Sequence, residues 1–398
     1  MSDLQGKHFV LGLTGGIACY KSAMLCRDLV KAGATVQVVM SKSALEFITP
    51  TTLQALSGRP VATTQWDGSQ PNAMPHINLT RGADAIIVAP CSANFMAKLA
   101  NGFADDLLST VCLARTCPLL IAPAMNVEMW DNPATQRNLS KLRHDGIVIM
   151  GPGEGDQACG ETGMGRMLEP HELLQDISAF LQPKVLKDKR ILITAGPTFE
   201  PIDPVRGISN HSSGKMGYAM ARAAREAGAS VTLVSGPTLL EAPYKVKRTS
   251  VETAQEMLDA VLGYVSRADV FISVAAVADW RVANIAKTKM KKESGPPQLQ
   301  FEKNPDILAT VAQLARDNGG EPYCVGFAAE SDNLEHNARQ KRLAKGIPML
   351  IANVGPATFG KDDNEVVVFD DAGGTLLRRA DKLTLARQII AEIARRLV

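Results

Sequence analysis

The sequence predicts an α/β protein built from two Rossmann-like domains. Short apolar runs alternate with helical patterns, which is typical of a parallel sheet covered on both faces. The alternation restarts after Pro183–Arg190, a charged segment without an apolar face that we interpret as a linker. The chain has 398 residues, and at roughly 150 residues per domain it is long enough for two or three domains. We expect domains at residues 1–189 and 190–398.

Strands and helices alternate through the first half. Apolar runs predict strands at His8–Leu13, Thr35–Met40, Ala85–Ala89, Leu119–Ala122 and Ile147–Met150. Apolar side chains three and four residues apart predict helices at Ala18–Lys31, Ala93–Leu99, Asp106–Leu113 and Ala134–His144. The first helix should stop at Gly33, because glycine commonly ends helices.

The second half repeats this alternation but none of the motifs of the first. Strands are predicted at Arg190–Thr194, Ser230–Ser235, Val270–Val274, Cys324–Phe327, Met349–Ala352 and Glu365–Phe369. Helices are predicted at Tyr218–Glu226, Thr253–Val265, Asp306–Arg316, Leu334–Lys345 and Lys382–Leu397. We therefore interpret the halves as two different domains and not as a duplication. Ligands of such sheets bind at the carboxyl ends of the strands, so the candidate residues are sought there.

Composition argues against several classes of protein. The net charge is +2 and aromatic residues make up only 5%, which argues against a nucleic-acid-binding surface. The longest apolar runs, such as Ala85–Pro90 and Leu119–Met125, are far shorter than the roughly 20 residues of a membrane-spanning helix. The first residues enter a predicted strand without the pattern of a signal peptide. Seven cysteines without a C-x-x-C pair indicate a reducing cytoplasm.

Several common motifs are absent from the sequence. Gly207–Met216 has six residues between its glycines and a methionine after its lysine, so it is not a P-loop. The turn at Gly12–Gly16 lacks the G-x-G-x-x-G spacing of a dinucleotide site. Cys112 and Cys117 have no partner pair, which argues against zinc.

Polar loops after three strands of the first half can form a mononucleotide-sized cleft. Glycines let the backbone approach a phosphate, which the N-terminus of the next helix can bind. The alternatives are a tight strand-to-helix turn for the glycines and helix capping for the serines after the second strand. The candidate residues are Gly15, Gly16, Ile17, Ala18, Ser41, Ser43, Ser92, Asn94, Asp105, Ser109 and Thr110.

Five motifs of this half occur in the order found in flavin-dependent cysteine decarboxylases, and the half resembles that family. They are Thr14–Lys21 (T-G-G-I-A-C-Y-K), Pro75–Ile77 (P-H-I), Ala104–Thr110 (A-D-D-L-L-S-T), Pro123–Trp130 (P-A-M-N-V-E-M-W) and Gln157–Gly160 (Q-A-C-G). The resemblance implies that the cleft binds FMN. It also implies decarboxylation of 4′-phosphopantothenoyl-cysteine to 4′-phosphopantetheine through a thioaldehyde and an ene-thiolate.

The same resemblance implies roles for three side chains. His76 would be a base or an orienting group, and Asn126 would hold the substrate carboxylate. Cys159 would donate the last proton, and a thiol suits this role because it is largely protonated at neutral pH. Glycines on both sides of Cys159 indicate a mobile flap over the substrate.

The second half contains a loop rich in hydrogen-bond donors. Glu200–Gly217 ends in a glycine before a predicted helix, which makes it a favourable cradle for an anion. Four lysines follow in a polar segment, for which a solvated basic loop is the alternative interpretation: Lys287, Lys289, Lys291 and Lys292.

In their sequence and order, these segments resemble those of phosphopantothenate–cysteine ligase. The resemblance implies that CTP, with Mg²⁺, activates the carboxylate of 4′-phosphopantothenate as an acyl-cytidylate, and that the amine of L-cysteine then displaces CMP. It implies Lys289 as the catalytic lysine, with Lys287 and Lys291 as close alternatives. The implied CTP site is Asp279, Lys289, Asn304, Pro305, Asp306, Ile307, Phe327, Lys341 and Lys345. Arg206, Asn210 and Ala276 would contact the substrate or the acyl-cytidylate.

The whole chain resembles the bifunctional coenzyme A biosynthesis proteins of bacteria. That family implies a homo-oligomer, with trimers of the flavoprotein domain assembled up to a dodecamer and with dimeric ligase domains. It also implies an FMN site at a subunit interface. Two alternatives stay open: an oxidative peptide-cysteine decarboxylase, and a regulatory flavoprotein without catalysis. The ligands of a metal ion also stay open.

Overall fold

The computed structural model describes residues 3–66, 74–291, 297–330, 333–354 and 361–397. Lys292 lies outside the described residues. The chain divides into two compact units, Met1–Ser178 and Ala179–Val398, and each is described by itself.

A parallel sheet of five strands forms the centre of the first unit. Its strands are β1 (His8–Leu13), β2 (Thr35–Met40), β3 (Ala85–Cys91), β4 (Leu119–Pro123) and β5 (Val148–Ile149). The order is β2-β1-β3-β4-β5 and all pairs are parallel. Every residue of β3 is buried, as predicted for a sheet with both faces covered.

Eight helices belong to the described part of this unit. They are α1 (Cys19–Lys31), α2 (Pro50–Ser57), α3 (Pro75–Thr80), α4 (Ala93–Asn101), α5 (Leu107–Leu113), α6 (Val127–Asp131), α7 (Pro133–His144) and α8 (Pro170–Phe180). The sequence predicted α1, α4, α5 and α7. It missed α2, α3, α6 and α8. Two of these, α3 and α6, have only five or six residues, which make fewer than two turns and show no period.

A hairpin follows β5, where the sequence suggested a glycine-rich flap. Its strands are β6 (Gly153–Asp156) and β7 (Thr162–Arg166). A Cβ atom on Gly163 would lie 2.7 Å from Val127 Cγ2, and one on Gly165 would lie 2.5 Å from the Met125 carbonyl oxygen. These glycines therefore permit the hairpin to pack closely on Met125 and on Val127, the first residue of α6.

The second unit contains a mixed sheet of eight strands. The strands are β8 (Arg190–Ala195), β11 (Ser230–Ser235), β12 (Lys247–Ser250), β13 (Val270–Ser273), β16 (Tyr323–Glu330), β17 (Met349–Val354), β18 (Asp363–Asp370) and β19 (Gly373–Asp381). Their order is β12-β11-β8-β13-β16-β17-β18-β19. The alternation of strands and helices in the second half predicts a wholly parallel sheet. This prediction is wrong at one edge, where β18 pairs antiparallel with β17 and β19 pairs antiparallel with β18. A two-residue turn is enough to join them, whereas a parallel pair needs a crossover helix.

Helices cover both faces of this sheet. They are α9 (Lys215–Glu226), α10 (Ala254–Val265), α11 (Ile307–Asp317), α12 (Leu334–Lys345) and α13 (Lys382–Arg396). Side chains alternate between the faces along a strand, so Ile191 and Ile193 share a core with α9 and α13, whereas Leu192 packs with α10 and α11. Two short antiparallel pairs lie outside the sheet: β9 (Glu200–Pro201) with β10 (Gly207–Ile208), and β14 (Trp280–Val282) with β15 (Phe301–Lys303).

Candidate active sites

The strand order of the first unit creates a crevice between the carboxyl ends of β1 and β3. The chain leaves β1 toward β2 on one side and reaches β3 on the other, so this pair is the topological switch point. Thr14 joins the two loops, because its hydroxyl donates to the Pro90 carbonyl at 2.7 Å and accepts from the Ser92 N–H at 3.0 Å.

Two features of this crevice fit a phosphate-bearing group. A Cβ atom on Gly15 would lie 2.5 Å from Ser43 Cβ, so a glycine is required where the two loops meet, whereas Gly16 faces open space. The hydroxyl of Ser41 is buried without a hydrogen-bond partner and makes no capping bond to the helix turn Lys42–Glu46. Helix capping therefore does not explain Ser41, and an unsatisfied buried hydroxyl favours a ligand.

Four of the other predicted FMN contacts also form bonds within the chain. The Ser92 hydroxyl caps α4, and exposed Asn94 lies in the first turn of that helix. Asp105 pairs with Lys98 at 2.8 Å. Ser109 is buried in a capping box with Asp106. Thr110 donates its hydroxyl to the Asp106 carbonyl.

A cavity of about 530 Å³ brings α1 together with the hairpin, a volume typical of small-ligand sites. It is lined by Gly16, Ile17, Ala18, Tyr20, Lys21, Ala124, Met125, Asn126, Asp156, Gln157, Ala158, Cys159, Gly165, Arg166 and Met167. Asn126 and Cys159, predicted from separate motifs, thus lie on one cavity. Lys21, which the sequence analysis missed, is buried and donates to the Met167 carbonyl and to Glu169, both at 2.8 Å.

Asn126 and Cys159 are in direct contact. Asn126 Nδ2 lies 3.3 Å from Cys159 Sγ and also donates to the carboxylate of Glu161. The Gln157 side chain accepts from the Val127 N–H at 3.0 Å and donates to the Met164 carbonyl at 3.1 Å, so it attaches the hairpin to the start of α6. Gln157 and Glu161 were missed as site residues, although Gln157 is the first residue of the Q-A-C-G motif.

His76 is not among the residues that line this cavity. It is half-buried on α3, which packs against α5. Within one chain, the described residues therefore bring together Asn126 and Cys159 but not His76.

The second unit has its crevice between β8 and β13, again at the switch point. A cavity of about 510 Å³ lies beside this crevice, between the end of β13, strand β16 and the helices α11 and α12. It is lined by Ser273, Ala275, Val277, Ala278, Asp279, Trp280, Lys303, Asn304, Pro305, Asp306, Ile307, Leu308, Phe327, Lys341 and Lys345. Every residue of the predicted CTP site except Lys289 is in this set.

Polar groups in this cavity are positioned by the backbone around them. Asn304 Nδ2 donates to the Ala278 carbonyl at 2.8 Å, while its Oδ1 is buried without a partner. Lys345 forms an ion pair with Asp306. Burial lowers the pKa of Lys345, and the Asp279 carboxylate acts in the opposite direction.

A smaller cavity of about 190 Å³ adjoins this one through Ala275 and Phe327. It contains the start of α9, with Ser212, Ser213, Gly214 and Lys215, and also Asn353, Asn364 and Lys382. Burial lowers the pKa of Lys382, and the positive charge of Lys215 lowers it further. Two cations at a helix N-terminus favour an anionic group.

Asn210 and Ala276 connect the donor-rich loop to the end of β13. Asn210 Nδ2 donates to the Ala276 carbonyl at 2.6 Å, and its Oδ1 accepts from the Ser212 N–H at 3.0 Å. Ala276 itself lines the smaller cavity. Two of the three predicted substrate contacts are therefore adjacent.

The third, Arg206, holds two loops together through Asp203. The Arg206 side chain donates to the Asp203 carboxylate at 2.5 Å and to the Met290 carbonyl at 3.1 Å. The Met290 N–H donates to the same carboxylate at 3.2 Å. The Arg206 guanidinium holds the pKa of the Asp203 carboxyl well below its usual range. This contact fixes the backbone between the exposed side chains of Lys289 and Lys291; Lys287 is exposed as well.

No group of three or more His, Cys, Asp and Glu residues that could hold a metal ion occurs in the described ranges. Nor does any helix in the described part of the chain have the length and apolarity needed to cross a membrane.

Models of two families match consecutive parts of the chain. Residues 1–182 match the model described as Flavoprotein. Residues 186–397 match the model described as DNA/pantothenate metabolism flavoprotein C-terminal domain. The two α/β units thus define a class, a flavoprotein domain fused to a DNA/pantothenate metabolism domain.

Curated relatives are similar over nearly the whole chain. The coenzyme A biosynthesis bifunctional protein CoaBC of Vibrio vulnificus (strain CMCP6) is 48% identical, over 99% of this chain and 98% of the relative. The Escherichia coli (strain K12) protein of that name is 47% identical over 99% and 98%. That of Bacillus subtilis (strain 168) is 42% identical over 98% and 97%. The chain belongs to the family of coenzyme A biosynthesis bifunctional proteins. It is therefore an enzyme with a decarboxylase domain of the flavoprotein type and a ligase domain.

Two solved structures are also similar to parts of the chain. The C-terminal domain of a CoaBC protein is 40% identical, covering 54% of this chain and 98% of its own, with a TM-score of 0.47. A cysteine-to-serine mutant of a PPC decarboxylase, complexed with pantothenoylaminoethenethiol, is 34% identical, covering 44% and 97%, with a TM-score of 0.40.

Proposed function

We propose that the chain catalyses two consecutive reactions, with the ligase in residues 190–398 and the decarboxylase in residues 1–189. The ligase joins 4′-phosphopantothenate to L-cysteine with CTP, and the decarboxylase converts the product to 4′-phosphopantetheine. One observation carries the proposal: residues spread from Asp279 to Lys345, chosen from the sequence as a nucleotide site, line one cavity next to the end of β13 in the second sheet.

In the ligase, an oxygen of the 4′-phosphopantothenate carboxylate attacks the α-phosphorus of CTP and pyrophosphate leaves. The amine of cysteine then attacks the acyl carbon, and CMP leaves. Charge builds up on pyrophosphate, and Lys289 balances it. Asn210 has a second Nδ2 hydrogen for the acyl-cytidylate, because only one is used by Ala276. Mg²⁺ arrives with the triphosphate.

The unpartnered Oδ1 of Asn304 supports a base that carries an amino group. Cytosine has an exocyclic amine that can donate to it, and uracil has none. Supplying CTP, UTP or ATP with the two substrates and Mg²⁺ tests this point. CTP should yield one CMP and one pyrophosphate per phosphopantothenoyl-cysteine, and UTP should yield no product. Equal turnover with UTP, or AMP formed from ATP as rapidly as CMP from CTP, would contradict the proposal.

In the decarboxylase, the side chains of the hairpin cavity orient the substrate and protonate it. Glu128 N–H donates to Asn126 Oδ1 at 2.8 Å, so Nδ2 is the end of the amide that can hold a carboxylate. Cys159, next to it, donates the last proton to carbon. FMN, when bound, supplies the two-electron chemistry that makes loss of CO2 possible. Gly15, Gly16, Ile17, Ala18, Ser41 and Ser43 would hold it.

We also propose that the decarboxylase works as a trimer-based oligomer in the cytoplasm, with His76 supplied to the cavity by a neighbouring subunit. An exposed apolar surface formed by the turn before α1 and the first part of that helix supports this interface. Ile17, Tyr20 and Met24 follow helical spacing and are 64, 57 and 54% exposed. Ile17 and Tyr20 also line the cavity.

A further inference from the structure

The tip of the hairpin carries an acidic side chain that the proposed reaction does not use. Glu161 is exposed, yet its carboxylate accepts a hydrogen bond from Asn126 Nδ2 and lies 3.5 Å from Cys159 Sγ. The Glu161 carboxylate therefore occupies the Asn126 amide, to which the proposed function assigns the substrate carboxylate.

The Asn126 amide has a fixed orientation. Its Oδ1 accepts the Glu128 N–H at the start of α6, so the nitrogen faces the hairpin. The two hydrogens of that nitrogen have two neighbours, Glu161 and Cys159, and an amide nitrogen has no third hydrogen for another acceptor. A substrate carboxylate can bind there only when Glu161 leaves, and two carboxylates side by side would also repel each other.

We infer that Glu161 and the substrate carboxylate bind Asn126 in turn, which makes Glu161 a specificity-determining residue of the decarboxylase. This inference rests on the proposed function, which assigns the substrate carboxylate to Asn126. Glu161 weakens the binding of ligands with a carboxylate at this position. It leaves ligands without a carboxylate unaffected, and the decarboxylated product is one of these.

The exchange needs only a rotation of the Glu161 side chain. The turn that carries it is held by the Gln157 N–H, which donates to the Glu161 carbonyl at 2.8 Å. The Gln157 side chain holds the same turn against Val127. A Cβ atom on Gly160 would meet no atom within 4 Å, so there is open space beside the tip. Cys159 therefore stays in place while Glu161 turns into solvent.

Binding of two unreactive ligands tests the inference. 4′-Phosphopantothenoyl-L-serine retains the carboxylate and lacks the thiol, and the matching ethanolamine amide lacks both. Titration calorimetry on the full-length yellow protein gives Kd for the wild type, Glu161→Ala and Glu161→Gln. Glu154→Ala is the matched control, because it removes an exposed acidic side chain from the same hairpin. FMN absorbance should be equal in all four proteins.

Glu161→Ala should bind the serine amide about tenfold more tightly than the wild type, the usual size of a hydrogen bond to a charged group. The Kd of Glu161→Gln for the serine amide should lie between those of the wild type and Glu161→Ala, because glutamine keeps a hydrogen-bond acceptor and loses the charge. The ethanolamine amide should bind all four proteins equally. Equal Kd values of wild type and Glu161→Ala for the serine amide, or an equal gain for both ligands, would overturn the inference and leave the proposed function intact. Failure of every protein to bind the serine amide would instead overturn the proposed function, and the inference with it.

Discussion

The buried carboxylate of Asp203 accepts a hydrogen bond from the backbone N–H of Met290 at 3.2 Å. The same carboxylate accepts the Arg206 guanidinium and the N–H groups of Val205 and Arg206. Lys289 is thus next to a residue whose backbone is fixed by the Asp203 carboxylate, although its own side chain is exposed. This arrangement favours Lys289 and Lys291 over Lys287 as the ligase lysine.

Replacing Asp203 should disable the ligase selectively. In Asp203→Asn the ion pair to Arg206 is lost and the loop before Met290 is released, so we expect kcat to fall about a hundredfold, the usual cost of misplacing a catalytic group. Decarboxylation of supplied phosphopantothenoyl-cysteine should not change. Asp259→Asn, an exposed acid on α10, is the control. Wild-type ligase kcat in Asp203→Asn would contradict a positioning role.

Two neighbouring glycines should differ in their effect on the flavin. In Gly15→Ala the new methyl group would lie 2.5 Å from Ser43 Cβ, so the loops must separate. Overpacking of this kind should weaken FMN binding by about tenfold or more. In Gly16→Ala the new methyl group would contact no protein atom, so any loss of FMN binding in this variant would indicate that Gly16 contacts the flavin itself. Flavin absorbance after dialysis gives the comparison, and undiminished FMN in Gly15→Ala would rule out this cradle.

Among the seven cysteines, Cys159 should react first. It is the exposed one, whereas burial raises the pKa of Cys19 and Cys26 to about 11 and that of Cys112 and Cys324 to about 12. Thiolates are the reactive form, so iodoacetamide at neutral pH should modify Cys159 well before the buried set. Peptide mass spectrometry measures this, with protein in guanidinium as the control in which all seven react. Comparable labelling of Cys19 in the native protein would contradict the burial pattern.

Two inactive variants should complement each other if His76 serves a neighbouring subunit. Co-expressed His76→Ala and Cys159→Ser chains would form some sites with both wild-type residues. About a quarter of wild-type decarboxylase activity is expected when equal amounts mix at random and each site takes one residue from each of two chains. Each variant alone is the control. Mixed oligomers without activity would show that both residues must come from one chain.

The sequence was sufficient for the buried parallel strands of both sheets, but not for the edge strands β12 and β19 or for the residues that meet at the cavities. Buried strands such as β3 are continuous apolar runs, and their carboxyl ends indicated where candidate ligand residues should be sought. The cavity at the start of α9 also takes Asn353, Asn364 and Lys382 from distant elements, and no local pattern connects those positions. Asp203 and Glu161 were missed because the sequence gives the same residue type whether a carboxylate is buried, paired or exposed.

Some residues of the first unit have structural roles in addition to the roles predicted from the sequence. Ser109 closes a capping box with Asp106, a D-x-x-S spacing that the sequence contains and that we interpreted as cofactor contact. The glycines of the hairpin predicted a mobile flap, and Gly163 and Gly165 also permit close packing against Val127 and Met125. Glycine serves both purposes, and only the neighbouring atoms distinguish them.

Separating the two reactions in one chain tests the account most directly. Full-length wild type, Cys159→Ser and Lys289→Gln would each receive 4′-phosphopantothenate, L-cysteine, CTP and Mg²⁺, with products followed by mass. The wild type should form CMP, pyrophosphate, CO2 and 4′-phosphopantetheine, and Cys159→Ser should release CMP without forming 4′-phosphopantetheine. Lys289→Gln should form 4′-phosphopantetheine only from supplied phosphopantothenoyl-cysteine. Loss of both activities in either folded, FMN-loaded variant, or full ligase activity in Lys289→Gln, would contradict the assignment of two separate sites.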